Sequence, residues 1–414
     1  MLALLAGLFA AGCGTAGSAA VANNNAPRLQ SEPAPAVADT AGPEAATATV
    51  AEPEPDPGPE RAEEILSDLS LEEKVGQLFM PVVHGSDAIT VTATEARSNE
   101  TVFGYRTPSE IIEGYKLGGV MYLRHNVVTA DQVGALSAGL QSAARSETGI
   151  GLLVAIDQEG GRVSRLTDGV TIFPPAAILS GDGLAVEEAG YLTGRQVSGQ
   201  GINVVLAPVA DLTTPGTPGA IGNRSYGDDP LLVADMVRAA VGGLQGSGVA
   251  AAVKHWPGHG PTTVDSHVSL PVLDITRAVW EERERVPFEA AIAEDVAIVL
   301  VGHLALPAVD PAGEPATVSP VLIDEELRDQ LGFEGVVMTD ALNMGAVSDL
   351  DQGDLAIRSV AAGADVLLYP SDLPTAYGAV LDAVRTGELT QYRLDQAVLR
   401  VLRLKAQLGL LPMG

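Results

Sequence analysis

A chain of 414 residues has room for one large α/β domain or two to three smaller ones, and its 46% hydrophobic content can build a sizeable core. A formal charge of −29 argues against nucleic acid or an anionic membrane surface as a partner. The single cysteine, Cys13, excludes an internal disulfide and any cysteine-based metal site.

The chain opens on MLALLAGLFAAG, an apolar run too short to span a bilayer as a mature helix. Its small-residue end, Ala10-Ala11-Gly12-Cys13, looks like a bacterial lipoprotein signal covering residues 1–13, although Ala10 stands where leucine is usual and no Lys or Arg precedes the run. Cys13 would then be the lipidated first residue of an exported protein that meets the membrane through its lipid anchor only. Residues 14–60 hold eight prolines, seven acids and one arginine, with almost no large apolar side chains. Such a segment cannot bury enough surface to fold and is expected to be a disordered tether, with the globular domain covering 61–414.

Eight short apolar runs follow, at 78–83, 119–123, 152–156, 203–209, 249–253, 296–301, 335–339 and 364–369. Each is continuously apolar, as expected of strands buried on both faces. The segments between them carry helical periodicity, and in SLEEKVGQL residues Ser70 and Glu73 form a capping box. Alternating strand and helix predicts parallel βαβ units, and eight of them predict a single (β/α)8 TIM-type barrel rather than an open doubly wound sheet. Neither GxGxxG after the first strand nor GxxxxGK[ST] occurs, so no nucleotide fingerprint supports the open alternative.

The residues just past these strands carry chemistry. His84 follows the first, Arg124 and His125 the second, Asp157-Gln158-Glu159 the third and Asp211 the fourth. Lys254 and His255 follow the fifth, His303 the sixth and Asp340 the seventh. In a parallel barrel these ends share one face, where barrel enzymes place their active sites. All six histidines fall on that rim or in the loop KHWPGHGPTTVDSH (254–267). His255, His259 and His267 with Asp265 form no HExxH or other recognised zinc spacing, so no metal is expected. An acid/base role fits better. Asp265 beside His267 can hold the imidazole and favour its charged form, and Gly258 and Gly260 are expected to let the loop swing over a substrate. Asp340, in GVVMTDALNM, could cap a helix, but opposite His267 it supplies the carboxylate nucleophile that retaining glycoside hydrolysis needs.

With these residues assembled, the chain resembles a glycoside hydrolase family 3 β-N-acetylglucosaminidase, of the branch acting on peptidoglycan fragments. The likeness runs from about residue 65 to the end, on KHWPGHG, DSH, DQEGGRVSRL (157–166), NRSYG (223–227) and MTDALNM. It implies Asp340 as nucleophile and Asp265-His267 as acid/base dyad, with Asp157, Arg165, Arg224, Lys254 and His255 at sugar-binding positions. No cofactor is implied, and the implied partner is an N-acetylglucosamine-terminated carbohydrate. Trp256 replaces the family's phenylalanine and is expected to preserve an aromatic wall, while Pro261 replaces an aspartate and is expected to stiffen the loop. The 74 residues after Asp340 suffice for an eighth βα unit and a closing helix, so a second, sandwich-like domain is not expected. Two competing readings are a phosphorylase, because a histidine repels phosphate less than a glutamate does, and a non-catalytic cell-wall-binding lipoprotein.

Overall fold

In the computed structural model, residues 58–412 are described except 215–218 and 261. The expectations for Cys13, for the tether through residue 57 and for Pro261 lie outside the described residues. The last three tether residues do not. Helix Gly58–Asp68 begins before Arg61, with Glu60 in its first turn, where a carboxylate meets the positive end of the helix dipole. That helix packs against the C-terminal helix Gln391–Gln407, and Arg403 reaches Glu63 at 3.0 Å.

All eight expected strands form: β1 (Phe79–Met80), β2 (Gly119–Tyr122), β3 (Leu153–Ile156), β6 (Val204–Val205), β7 (Ala250–Trp256), β8 (Ile298–Val301), β9 (Val336–Thr339) and β10 (Leu367–Leu368). Between β3 and β6 lies an antiparallel hairpin of β4 (Gln158–Gly160) and β5 (Val163–Ser164) that the apolar runs did not announce. Helices separate the parallel strands, giving a TIM-like α/β fold.

The expected single closed ladder of eight strands is not what the pairing gives. Six strands form one parallel sheet in the order β2-β3-β6-β7-β8-β9, while β1 and β10 pair with each other as a separate two-stranded sheet. On the β2 side the break has a local cause. β1 runs directly into Pro81, which lacks the N–H that a longer ladder would use. Hydrogen bonds outside the regular ladders join the pair to both edges of the large sheet: Met121 N–H donates to Pro81 O (3.0 Å), Thr339 N–H to Val366 O (2.9 Å) and Val366 N–H to Val337 O (3.1 Å).

Because side chains alternate along a strand, the parallel strands feed two cores. Ala250 and Ala252, Ile298 and Leu300, and Val336 and Met338 belong to a smaller core to which all eight parallel strands contribute. Their neighbours Val253, Val299 and Val337 join the larger core beneath the helices. Functional side chains are therefore expected mainly in the last residues of the strands and just beyond them.

Candidate active site

β3 ends at Ile156, so Asp157 is its first residue beyond the ladder, and β4 continues directly with Glu159 two positions on. Both reach the same ammonium: Lys254 Nζ lies 2.9 Å from Asp157 Oδ1 and 2.6 Å from Glu159 Oε1. Arg224 grips Glu159 with two bonds, Nε to Oε2 at 2.7 Å and Nη2 to Oε1 at 2.8 Å. Arg165 closes the network on Asp157 Oδ2 at 3.1 Å. Burial alone would push both carboxyls up. Lys254, shared between them, reverses that with the help of Arg165 on Asp157 and Arg224 on Glu159, holding both below the usual range, Glu159 at about 2. Lys254, itself buried, is held above the usual lysine range by the two carboxylates in spite of its desolvation. Removing one member would strand a buried charge, a change that typically costs about 3–5 kcal/mol.

Lys254 and His255 lie inside β7 rather than beyond it, because that strand extends to Trp256 with an irregular register against β8. His255 Nδ1–H donates to Asp211 Oδ2 at 2.6 Å, and the backbone N–H groups of His255 and His259 donate to Asp211 Oδ1 at 3.2 and 2.7 Å. Burial opposes ionisation of Asp211, but His255 and these donors outweigh it and bring the carboxyl to about 2. His259 is buried, and desolvation lowers its pKa. Its Nδ1–H donates to Thr262 Oγ1 (2.6 Å), whose hydroxyl donates in turn to His259 O (2.7 Å). Ser266 Oγ stands 3.2 Å from the remaining ring nitrogen.

The dyad is the exposed part of the loop. His267 Nδ1–H donates to Asp265 Oδ1 at 2.9 Å, and the two side chains are 72% and 55% exposed. The backbone N–H of His267, followed by the imidazole, holds the Asp265 carboxyl below its usual range. His267 Nε2 has no protein partner among the described residues, which leaves it available to a substrate oxygen. Asp340 directly follows β9, and its Oδ1 accepts the N–H of Ala341 at 2.8 Å. His303 supports this turn. It is buried, its Nε2–H donates to Ala341 O at 3.0 Å, and desolvation keeps its pKa low.

The loop after β9 seats the dyad. Gly345 N–H donates to His267 O at 3.3 Å and Ala346 N–H to Ser266 O at 3.0 Å. A Cβ on Gly345 would stand 2.6 Å from His267 O and 2.7 Å from Val268 O, so only glycine permits this approach.

One cavity of about 540 Å³ joins these parts. It is lined by Asp340, Asp265 and His267 and by Asp157, Arg165, Arg224, Lys254 and His255, so the structure brings together all eight expected site residues of the domain. Glu159 lines it as well. Sequence reasoning placed Glu159 on the rim but gave it no role, although its place two residues beyond Asp157 in an extended segment sets both carboxylates on one face. His84 and His125 pair with each other instead, ring centroids 5.5 Å apart. No cluster of three or more His, Cys, Asp or Glu suited to a metal occurs among the described residues.

Two expectations about the loop are corrected. Trp256 forms no wall of the cavity. It is wholly buried, packs edge-on against Trp280 and Phe288 with ring centroids 5.6 and 5.3 Å away, and donates Nε1–H to Leu322 O at 2.9 Å. Nor do the glycines free the loop to swing. A Cβ on Gly260 would lie 2.0 Å from Leu212 O, and one on Gly258 would lie 2.9 Å from the Glu284 side chain. Both glycines allow close packing. Glu284 is itself buried, and desolvation followed by the Asp211 charge raises its carboxyl to about 7.

Fold and site together define an α/β enzyme-type domain, with a carboxylate and an aspartate–histidine pair at the C-terminal ends of parallel strands around one cavity. The family model described as the glycosyl hydrolase family 3 N-terminal domain matches residues 70–404, and the chain belongs to that family. Among curated relatives, "Beta-hexosaminidase A" of Pseudoalteromonas piscicida is 34% identical over 72% of this chain and 55% of its own length. A "Beta-hexosaminidase" of Stenotrophomonas maltophilia is 36% identical over 64% of this chain and 80% of its own. Among solved structures, a glycoside hydrolase family 3 β-N-acetylglucosaminidase from Paenibacillus sp. superposes with a TM-score of 0.76 at 40% identity, covering 83% of this chain and 63% of that one. The chain thus spans little more than half the length of the Pseudoalteromonas relative and under two thirds of the Paenibacillus protein.

Proposed function

We propose that this chain is an exo-acting, retaining β-N-acetylglucosaminidase. One observation carries the reading: a carboxylate, Asp340, and an aspartate-held imidazole, His267, line one cavity with a network of paired charges beside them. In this mechanism Asp340 attacks the anomeric carbon and forms a glycosyl ester while His267 Nε2–H protonates the departing oxygen. The neutral imidazole then takes a proton from water, which cleaves the ester and returns Asp340 as a carboxylate. Asp157, Arg165, Arg224, Lys254 and His255 grip the hydroxyl groups of the retained sugar, because charged donors and acceptors in fixed positions discriminate against analogues that lack a hydroxyl.

The names of the relatives support N-acetylhexosamine as the retained sugar, and the motif resemblance supports peptidoglycan-derived substrates. A closed (β/α)8 barrel belongs to the same reading. It is supported by the shared inner core and by the backbone bonds that join β1 to β2 and β10 to β9, from Met121 to Pro81, from Thr339 to Val366 and from Val366 to Val337.

A slowly turned-over fluorinated N-acetylglucosaminide tests the assignment. Its label should appear by mass spectrometry on the peptide containing MTDALNM and be lost in Asp340→Asn. A label on another carboxylate overturns the nucleophile, and release of sugar 1-phosphate only when phosphate is present overturns hydrolysis in favour of phosphorolysis.

A further inference from the structure

We propose that Arg162 is a specificity residue at the mouth of the cavity, where its guanidinium takes a carboxylate carried by the leaving group. The inference rests on the reading that a terminal sugar is released here.

Four cationic side chains line the cavity: Arg162, Arg165, Arg224 and Lys254. The last three are committed to carboxylates at distances from 2.6 to 3.1 Å. Arg162 is exposed and has no carboxylate partner among the described residues. Unlike a loose surface arginine, it stands on a pinned hairpin. Gly160 and Gly161 turn the chain with φ of 92° and 55°, and Gly161 N–H donates to Phe173 O at 2.8 Å. A Cβ on Gly160 would lie 2.7 Å from Pro174 O, so the turn is pressed against the neighbouring segment. Across the base, the Gln158 side chain accepts from the N–H groups of Arg165 and Leu166 at 2.9 and 3.1 Å and donates to Leu166 O at 2.8 Å. The guanidinium is thereby presented with little of the entropy cost that a mobile loop would add to binding.

Its level in the cavity indicates which part of a substrate it meets. Met121, Leu206 and Leu300 of the inner core line the floor, whereas Arg162, like Asp265 and His267, is exposed and lines the cavity where it opens to solvent. A terminal sugar that descends to Asp157 and Lys254 leaves its aglycone at that opening, beside the proton donor. An unpaired planar guanidinium there matches a carboxylate in two parallel bonds, and such charge-assisted bonds are roughly twice as strong as neutral ones. In a chain of formal charge −29, an acidic aglycone would otherwise meet repulsion.

The test compares phenyl β-N-acetylglucosaminide with its 4-carboxyphenyl analogue, on the wild type and on Arg162→Ala and Arg162→Lys. A charged hydrogen bond contributes about 1.5–3 kcal/mol, so the carboxyphenyl-to-phenyl ratio of kcat/KM should fall about 10- to 100-fold in Arg162→Ala. Arg162→Lys should restore part of it, and added salt should erode the wild-type ratio. An unchanged ratio in Arg162→Ala, whether activity is kept or lost on both substrates, overturns the proposal. If Arg162→Ala instead loses only phosphate-dependent formation of sugar 1-phosphate, the anion is incoming phosphate and the leaving-group assignment fails. Wild-type protein that cleaves neither glycoside overturns the glycosidase reading and this inference with it, a failure distinct from an unchanged ratio.

Discussion

His255 and His267 each donate Nδ1–H to an aspartate, at 2.6 and 2.9 Å, yet their surroundings divide their work. The aspartate of the first, Asp211, is wholly buried, fixed also by two backbone N–H groups, so His255 is held rigidly in the cavity wall. His267 is exposed, and its Nε2 has no protein partner among the described residues, as the proposed proton-carrying role requires. The leaving group separates these roles. With a sugar leaving group, whose alkoxide is very basic, His267→Ala should lower kcat/KM by about 10²–10⁴. With an activated phenolate, which needs little proton help, the loss should be much smaller. Asp265→Ala should repeat the pattern more weakly. Steady-state kinetics on the two substrate types check this, and equal losses on both would mean that the loop positions substrate rather than moves protons.

At the scale of elements, the loop bearing Asp265 and His267 and the loop after Asp340 are one assembly, since Gly345 and Ala346 donate to the backbone of His267 and Ser266. Gly345→Ala would force its Cβ against His267 O and push the dyad outward. A displacement near 1 Å costs about 10²-fold in rate, so kcat/KM on a sugar leaving group should fall by about that factor. The fall should be smaller on an activated phenolate, and thermal unfolding should register an overpacking cost of about 1–3 kcal/mol. A loss independent of the leaving group would mean that the contact only stabilises the loop. The same loops mark where reading the sequence reached its limit. Asp340 and Asp157 were legible because each directly follows an apolar strand. The hairpin β4–β5 was not, because QEG and VS carry no apolar alternation and pair through glycines. The orientation of Trp256 was hidden too. A strand position fixes the alternation of faces, but which aromatic partners wait behind the strand depends on Trp280 and Phe288, distant in the chain.

Across the whole molecule, the N- and C-terminal parts of the domain meet at an unusual charge. Lys405, in the last helix, is wholly buried, and its Nζ donates to Gln77 Oε1 at 2.6 Å across 328 positions. Burial, with no carboxylate to offset it, lowers its ammonium to about 7. An unfolded lysine titrates near 10.4, so between about pH 7 and 10 the unfolded chain binds more protons than the folded one. The penalty on stability is therefore complete below pH 7 and is relieved as pH rises to 10, by on the order of 3–4 kcal/mol. Lys405→Met should remove this rise, as read from denaturant unfolding at pH 7 and 9.5 on both proteins. Parallel pH profiles would mean that Lys405 stays charged in the fold.

The sequence by itself determined the eight strands, their parallel order with helices between, and the residues at their ends. Each of those features depends on the pattern within a few neighbours: apolar runs, capping residues and the polar side chain that ends a strand. Only the tertiary structure decided which of the rim residues share a cavity. Lys254 meets Asp157 from 97 positions away and Arg224 meets Glu159 from 65, while His84 and His125 turn to each other instead. It also decided that Gly258 and Gly260 serve packing rather than motion, and that β1 and β10 pair apart from the large sheet. Such choices are made by desolvation and close contact between distant segments, which local patterns in the chain do not encode.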